Sequence, residues 1–333
     1  MTDRVVTRRA TASLNVQNPR VVRWLFDKSR GTWLGPTRTP QTTELRSDGA
    51  GLKSGRAEFQ DGERFFRHFH GGLQHADLRG NDVLDVGCGF GGRALYYAEV
   101  CGAASVHGVE VTNEVVERCR RLASELGSSK TTFSVGRAED LPFREGTFDA
   151  VVSFDVLEHC DDPRAAVGEI ARVLRPNGRT WNVFPTYKGA RSSHLAYISD
   201  VPLLHRIFHP DTLIDIANEL LEGEPSEIRP GLQPRPSWTS LGHYTLPRLN
   251  GMTLAEARTI FTGTSGLSCE RFIVTPVVDP QLSWQQMKTA VGSSRLAAAI
   301  VFAAAHTLAG WQRFLPLPEF LVQNIAVCAT KRA

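Results

Sequence analysis

The sequence is short of the features that would place it outside ordinary globular chemistry. Its six cysteines, Cys88, Cys101, Cys119, Cys160, Cys269 and Cys328, are scattered, with no C-x-x-C pair and no Cys/His spacing of a zinc site. Neither a disulfide framework nor a metal site is therefore expected, and the thiols read as reduced and buried. Charge of one sign is also scarce: 38 Lys and Arg against 35 Asp and Glu leave +3, with no basic stripe. Nothing draws such a chain toward nucleic acid. Long apolar runs are missing too. The longest, residues 296–310, is Ala-rich, contains His306 and Thr307, and falls short of the roughly 20 residues that span a bilayer. It reads as a core or dimer helix, with peripheral membrane contact as the minor alternative, so a homodimer stays open. Residues 1–20 carry Arg4, Arg8, Arg9 and Arg20 but no apolar stretch of a secretory signal, which makes the cytoplasm the expected location.

What is present is a 333-residue chain with 41% apolar and 22% charged residues, enough for one large or two modest domains. Residues 1–57 are rich in Thr, Arg, Gly and Pro and read as a tail and lid segment with one short helix at 21–26. Helix is expected from Glu58, with Phe59, Phe65, Phe66, Phe69 and Leu73 along one face. From Asp82 strands and helices alternate: strands at 83–86, 105–109, 131–135, 148–154 and 179–184, helices at 93–101, 113–126 and 163–174. Thr112 stands as an N-cap and Gly127 as a stop. Val115, Cys119, Leu122 and Leu126 face inward from the second helix, and Ala166, Ile170, Val173 and Leu174 from the third. The turn at 175–178 leads into the fifth strand. Thr253 caps a later helix, and strands six and seven fall at 267–274 and 320–330. Such alternation predicts an α/β fold with a doubly wound, mostly parallel seven-stranded sheet. Residues 185–252 break the rhythm and read as an inserted substrate lid. Residues 253–333 complete the sheet around a helical insertion at about 279–318.

The central motif is Leu84-Asp85-Val86-Gly87-Cys88-Gly89-Phe90-Gly91-Gly92, at a strand-to-helix junction. Glycines there let a ligand approach bare backbone. The stretch resembles motif I of the class I, Rossmann-like S-adenosylmethionine methyltransferases, in particular small-molecule enzymes of bacterial natural-product or glycan pathways. The resemblance implies that 58–184 is the half that binds S-adenosylmethionine, that Asp85 holds the methionine end of the cofactor, and that Gly87, Gly89 and Gly91 line the turn. Glu110, with Val111 beside it, follows the second strand; a carboxylate there can accept both ribose hydroxyls, which suits a nicotinamide cofactor equally well. The segments 136–143 and 148–152 separate the two, since they resemble the third and fourth methyltransferase motifs. The resemblance implies that the Ala138 amide meets adenine. Arg137 departs from the Asp often found in the family and cannot accept from the adenine amino group, so Glu139, or stacking by Arg137, takes that part.

Phe154 should lie along the cofactor, and Leu157-Glu158-His159 matches the family's Leu-Glu-His at the end of strand four. His159 is a candidate base, with a structural imidazole as the equal alternative. His194 in the lid is the second candidate, while His205 and His209 read as hydrogen-bonding residues of a packed lid. Together these point to methyl transfer to a small-molecule acceptor, a hydroxyl of a natural product or sugar. C- or N-methylation, and cofactor binding without turnover, are the alternatives.

Overall fold

The computed structural model describes residues 16–29, 48–69, 72–189, 204–222, 249–276, 303, 307 and 318–333. His194, the helical insertion at 279–318 apart from isolated residues, and nearly all of the apolar run 296–310 lie outside them.

One seven-stranded sheet organises the fold: β1 (Asp82–Val86), β2 (Ser105–Glu110), β3 (Thr131–Val135), β4 (Phe148–Phe154), β5 (Leu174–Pro185), β6 (Leu267–Pro276) and β7 (Val322–Lys331). They lie in the order β3-β2-β1-β4-β5-β7-β6. Strands β1 to β5 pair in parallel, and β7 runs antiparallel to both β5 and β6. The order reverses at β1 and β4, so the crevice beyond their carboxyl ends is where such a sheet binds ligands.

Each face buries its own apolar layer. On one, α5 (Gly92–Glu99) and α6 (Asn113–Glu125) pack Leu95, Tyr97, Cys119 and Leu122 near Val83, Phe133 and Trp181. On the other, α7 (Pro163–Val173) and α10 (Leu254–Gly263) pack Ile170, Val173, Ile260 and Phe261 near Leu84, Val151 and Phe184. Helix α7 starts where Asp162 accepts from the amides of Arg164 and Ala165, with Pro163 in its first turn, a cap joined to a residue that needs no donor there. Farther out, α1 (Pro19–Ser29) packs on α9 (Pro210–Glu222), with Val22 and Phe26 buried and Arg23 paired to Glu219.

Several local expectations are corrected. The single helix from Glu58 is instead α2 (Asp48–Gln60) and α3 (Glu63–Arg67), followed by α4 (His75–Leu78). The break falls at Gly62, where a Cβ would stand 2.1 Å from the Tyr96 ring. The earlier start escaped apolar periodicity because α2 meets its neighbours through glycine: a Cβ on Gly55 would come 2.6 Å from the Phe90 carbonyl oxygen. On α6 the fully buried stripe is Val116, Cys119, Leu122 and Ala123, with Val115 and Leu126 only half-buried. Thr112 occupies the N-cap position, but its hydroxyl makes no capping bond. Leu174 opens β5 rather than ending α7, and residues 175–178 loop out between the pairs Phe148 with Leu174 and Ala150 with Arg179. Asn177 takes φ 64° at that corner.

Candidate active site

Parallel pairing of Val86 with Val109 and of Val86 with Ser153 brings the carboxyl ends of β1, β2 and β4 to one edge. Asp85 is fully buried there, and neither carboxylate oxygen has a hydrogen-bond partner among the described residues. The nearest cation is the buried Arg93, 3.8 Å away, which donates to the Gly87 carbonyl at 2.8 Å and lies 5.2 Å from the centroids of Phe65 and Phe154. Burial pushes the Asp85 carboxyl up to about 6, with Arg93 pulling the other way. A buried acid with open acceptors is costly unless a donor comes to it.

The turn after Asp85 is bare backbone. The amides of Gly87 and Cys88 both donate to the Val109 carbonyl, at 2.9 and 3.0 Å, which fastens the turn to β2. Gly87 has φ 66°, and a Cβ on it would stand 2.3 Å from Val156 Cγ2; only glycine fits. Gly89 offers its carbonyl to the Cys119 thiol at 3.3 Å, and Gly91, with φ 80°, is the N-cap of α5.

At the end of β2, Glu110 is buried and accepts from the Val111 amide at 2.8 Å. Burial raises its carboxyl to about 7, against the lowering from the amides of Val111 and Gly89. Val111 itself is 48% exposed. Ala138 is buried. One Glu139 oxygen already accepts from Arg137 at 3.2 Å and from the Asp161 amide at 2.8 Å, and Arg137 also pairs with Asp161 at 2.6 Å. Arg137 is thus anchored to two carboxylates.

Phe154 ends β4 with its ring edge-on to Phe65 at 5.3 Å and to His68 at 5.1 Å. The chain then turns sharply: Asp155 takes φ 55°, and Leu157–His159 form one 3-10 turn in which His159 Nε2 lies 3.6 Å from Glu158 Oε1. Beside it, where β5 ends, Tyr187 is buried edge-on to His205 at 5.4 Å. His205, on α8 (Leu204–Ile207), is held down to about 4, chiefly by burial. Arg93, His68, Asn250 and the Tyr187–His205 contact join this region only through the tertiary structure. Arg93 alone carried a signal, a cation in the first turn after the glycine motif; the rest come from segments without a motif. Among the described residues no cluster of three or more His, Cys, Asp or Glu could hold a metal, and no helix is long and apolar enough to cross a membrane.

The family model for a methyltransferase domain matches residues 84–181, from within β1 to within β5. That match covers less than a third of the 333 residues. Over 156 residues it is 36% identical to a probable chloroplastic tocopherol O-methyltransferase of Oryza sativa subsp. japonica, covering 44% of this chain and 43% of that protein. It is 36% identical over 110 residues to a fatty-acid O-methyltransferase of Mycolicibacterium smegmatis, covering 33% and 39%. Against ajmaline N-methyltransferase of Rauvolfia serpentina it is 29% identical over 163 residues, covering 47% and 55%. The chain thus spans about half, or less, of the length of each of these relatives.

Proposed function

We propose that the chain is a cytoplasmic S-adenosylmethionine-dependent methyltransferase acting on a hydroxyl of a small molecule, a natural product or sugar. The observation that carries this is the pair of buried carboxylates, Asp85 and Glu110, on either side of a glycine turn with Asp85 left open to a donor. Neighbouring residues fit the nucleoside: Asp85 for the ammonium end, Gly87, Gly89 and Gly91 for close backbone approach, Glu110 and Val111 at the ribose, Ala138 and the remaining oxygen of Glu139 at adenine, Phe154 along the cofactor. When bound, S-adenosylmethionine supplies an electrophilic methyl group on a sulfonium.

The chain's own task is then to hold an acceptor oxygen in line with that methyl, since positioning supplies much of the acceleration in such a displacement. A hydroxyl must also lose its proton, and His159 at the end of β4 is the group assigned to take it; His194 is the second candidate. In this division, 58–184 binds the cofactor, 185–252 with the 1–57 segment encloses the acceptor, and 253–333 completes the sheet. Two relatives named for O-methylation favour an oxygen acceptor; the N-methyltransferase relative keeps nitrogen as the second reading.

Titration with S-adenosylhomocysteine and, separately, with NAD tests the assignment. Binding of the first alone is expected, and binding of NAD alone would end it. Product mass spectra from a panel of phenols, sugars and amines then read the acceptor atom, and methylation confined to nitrogen or carbon would overturn the hydroxyl assignment.

A further inference from the structure

Residues 188–251 separate Tyr187, two residues beyond β5, from Met252, two residues before α10, and the Tyr187 amide donates to the Met252 carbonyl at 3.0 Å. The excursion therefore has a closed neck. Two residues inside that neck sits Asn250, with every polar group of its side chain engaged. Its Nδ2 donates to the carbonyls of Leu157 at 2.7 Å and Cys160 at 2.9 Å, and its Oδ1 accepts from the Met252 amide at 2.9 Å. Its own amide donates to the Glu158 carbonyl at 2.8 Å. One side chain thus bridges both ends of the turn that carries Glu158 and His159 and fastens that turn to the neck of the insertion.

We infer that Asn250 is a positioning residue for methyl transfer: it holds the Leu157–His159 turn, and through it His159, in register with the neck of the substrate-enclosing insertion. This rests on the function proposed above, in which His159 faces the acceptor. Turn carbonyls satisfied by one amide fix the His159 backbone, whereas carbonyls left to water would let it wander, and a shift of about 1 Å at a reacting group costs about 100-fold in rate. None of these bonds is to Asp85 or Glu110, so its loss should weaken turnover far more than cofactor affinity.

The test compares N250D, N250A and H159Q with the unaltered full chain. N250D keeps the acceptor for Met252 and the side-chain size but removes both donors. Expected for N250D and N250A are a fall in kcat of about 10- to 100-fold, S-adenosylhomocysteine affinity within about twofold of the parent, and no further kcat loss when H159Q is added, because residues acting as a unit are not additive. Histidine-labelled NMR of the full chain, with the His159 ring signals assigned by H159Q, should show those signals moved or broadened in N250D. A kcat loss that only tracks the folded fraction, an additive double variant, or unmoved His159 signals would overturn the role. The NMR readout needs no turnover. A chain that binds no S-adenosylhomocysteine at all defeats the proposed function, and His159 signals indifferent to N250D defeat the role of Asn250.

Discussion

Two buried acids raised into the neutral range should make cofactor affinity steeply dependent on pH. Asp85 sits near 6 and Glu110 near 7 in the ligand-free site, and only the ionised forms keep every carboxylate oxygen as an acceptor, for an ammonium at Asp85 and for both ribose hydroxyls at Glu110. Treated as independent groups, both are charged in about 45% of molecules at pH 7 and in about 0.1% at pH 5. S-adenosylhomocysteine should therefore bind about 500-fold more weakly at pH 5 than at pH 7. At pH 6, binding should release about 1.4 protons, read by calorimetry in buffers of differing ionisation enthalpy. In D85N only Glu110 still titrates, so the same pH step should cost about 50-fold, from a lower affinity throughout. The sign for stability is the reverse. Both pKa values lie above the ordinary 3.8 and 4.5, so the ligand-free chain draws stability from the protonated forms. That contribution is complete below about 4 and is lost as pH rises through 6 and 7. The rise in Tm given by ligand should accordingly be larger at pH 8 than at pH 5. An affinity that changes less than about threefold between pH 5 and 7, or a D85N variant with the parent's slope, would refute this account of the site.

Further outcomes follow from single contacts. H159Q should lower kcat for a hydroxyl acceptor by about 10²-fold or more while leaving S-adenosylhomocysteine affinity unchanged, as steady-state kinetics with calorimetry will read; unchanged turnover would remove His159 from proton transfer. G92A places a Cβ 2.0 Å from the Gly55 carbonyl oxygen and 2.7 Å from the Phe59 amide nitrogen, so denaturant unfolding should show a loss of about 1–3 kcal/mol. G127A meets no atom within 4 Å but holds φ +67°, and should lose about 1–2 kcal/mol by backbone strain alone. T253A removes the hydroxyl that accepts from the Glu256 amide and its half of the capping box, a loss of about 1 kcal/mol.

Strand and helix alternation from Asp82 to Phe184 was legible because its elements carry their own period and an apolar face, so local chemistry and the tertiary fold agree. The same holds for Asp85, the glycine turn and Glu110: their spacing along the chain sets their places at adjacent strand ends, and parallel pairing needs no distant partner to bring them together. Helix α2 was missed for the converse reason, since the glycines that let it lie against the turn erase the apolar pattern that would have announced it.

Tertiary structure alone decided what surrounds those acids and what reaches the acceptor side. Whether a carboxylate is solvated or buried beside a single arginine depends on Phe65, Phe154 and Arg93 converging from three elements, and that burial, not the motif, lifts Asp85 to about 6. Asn250 reaches the Leu157–His159 turn from 90 or more residues along the chain. A hydrogen bond between residues so far apart leaves no period in the sequence, because it depends on where the insertion closes rather than on what lies nearby in the chain.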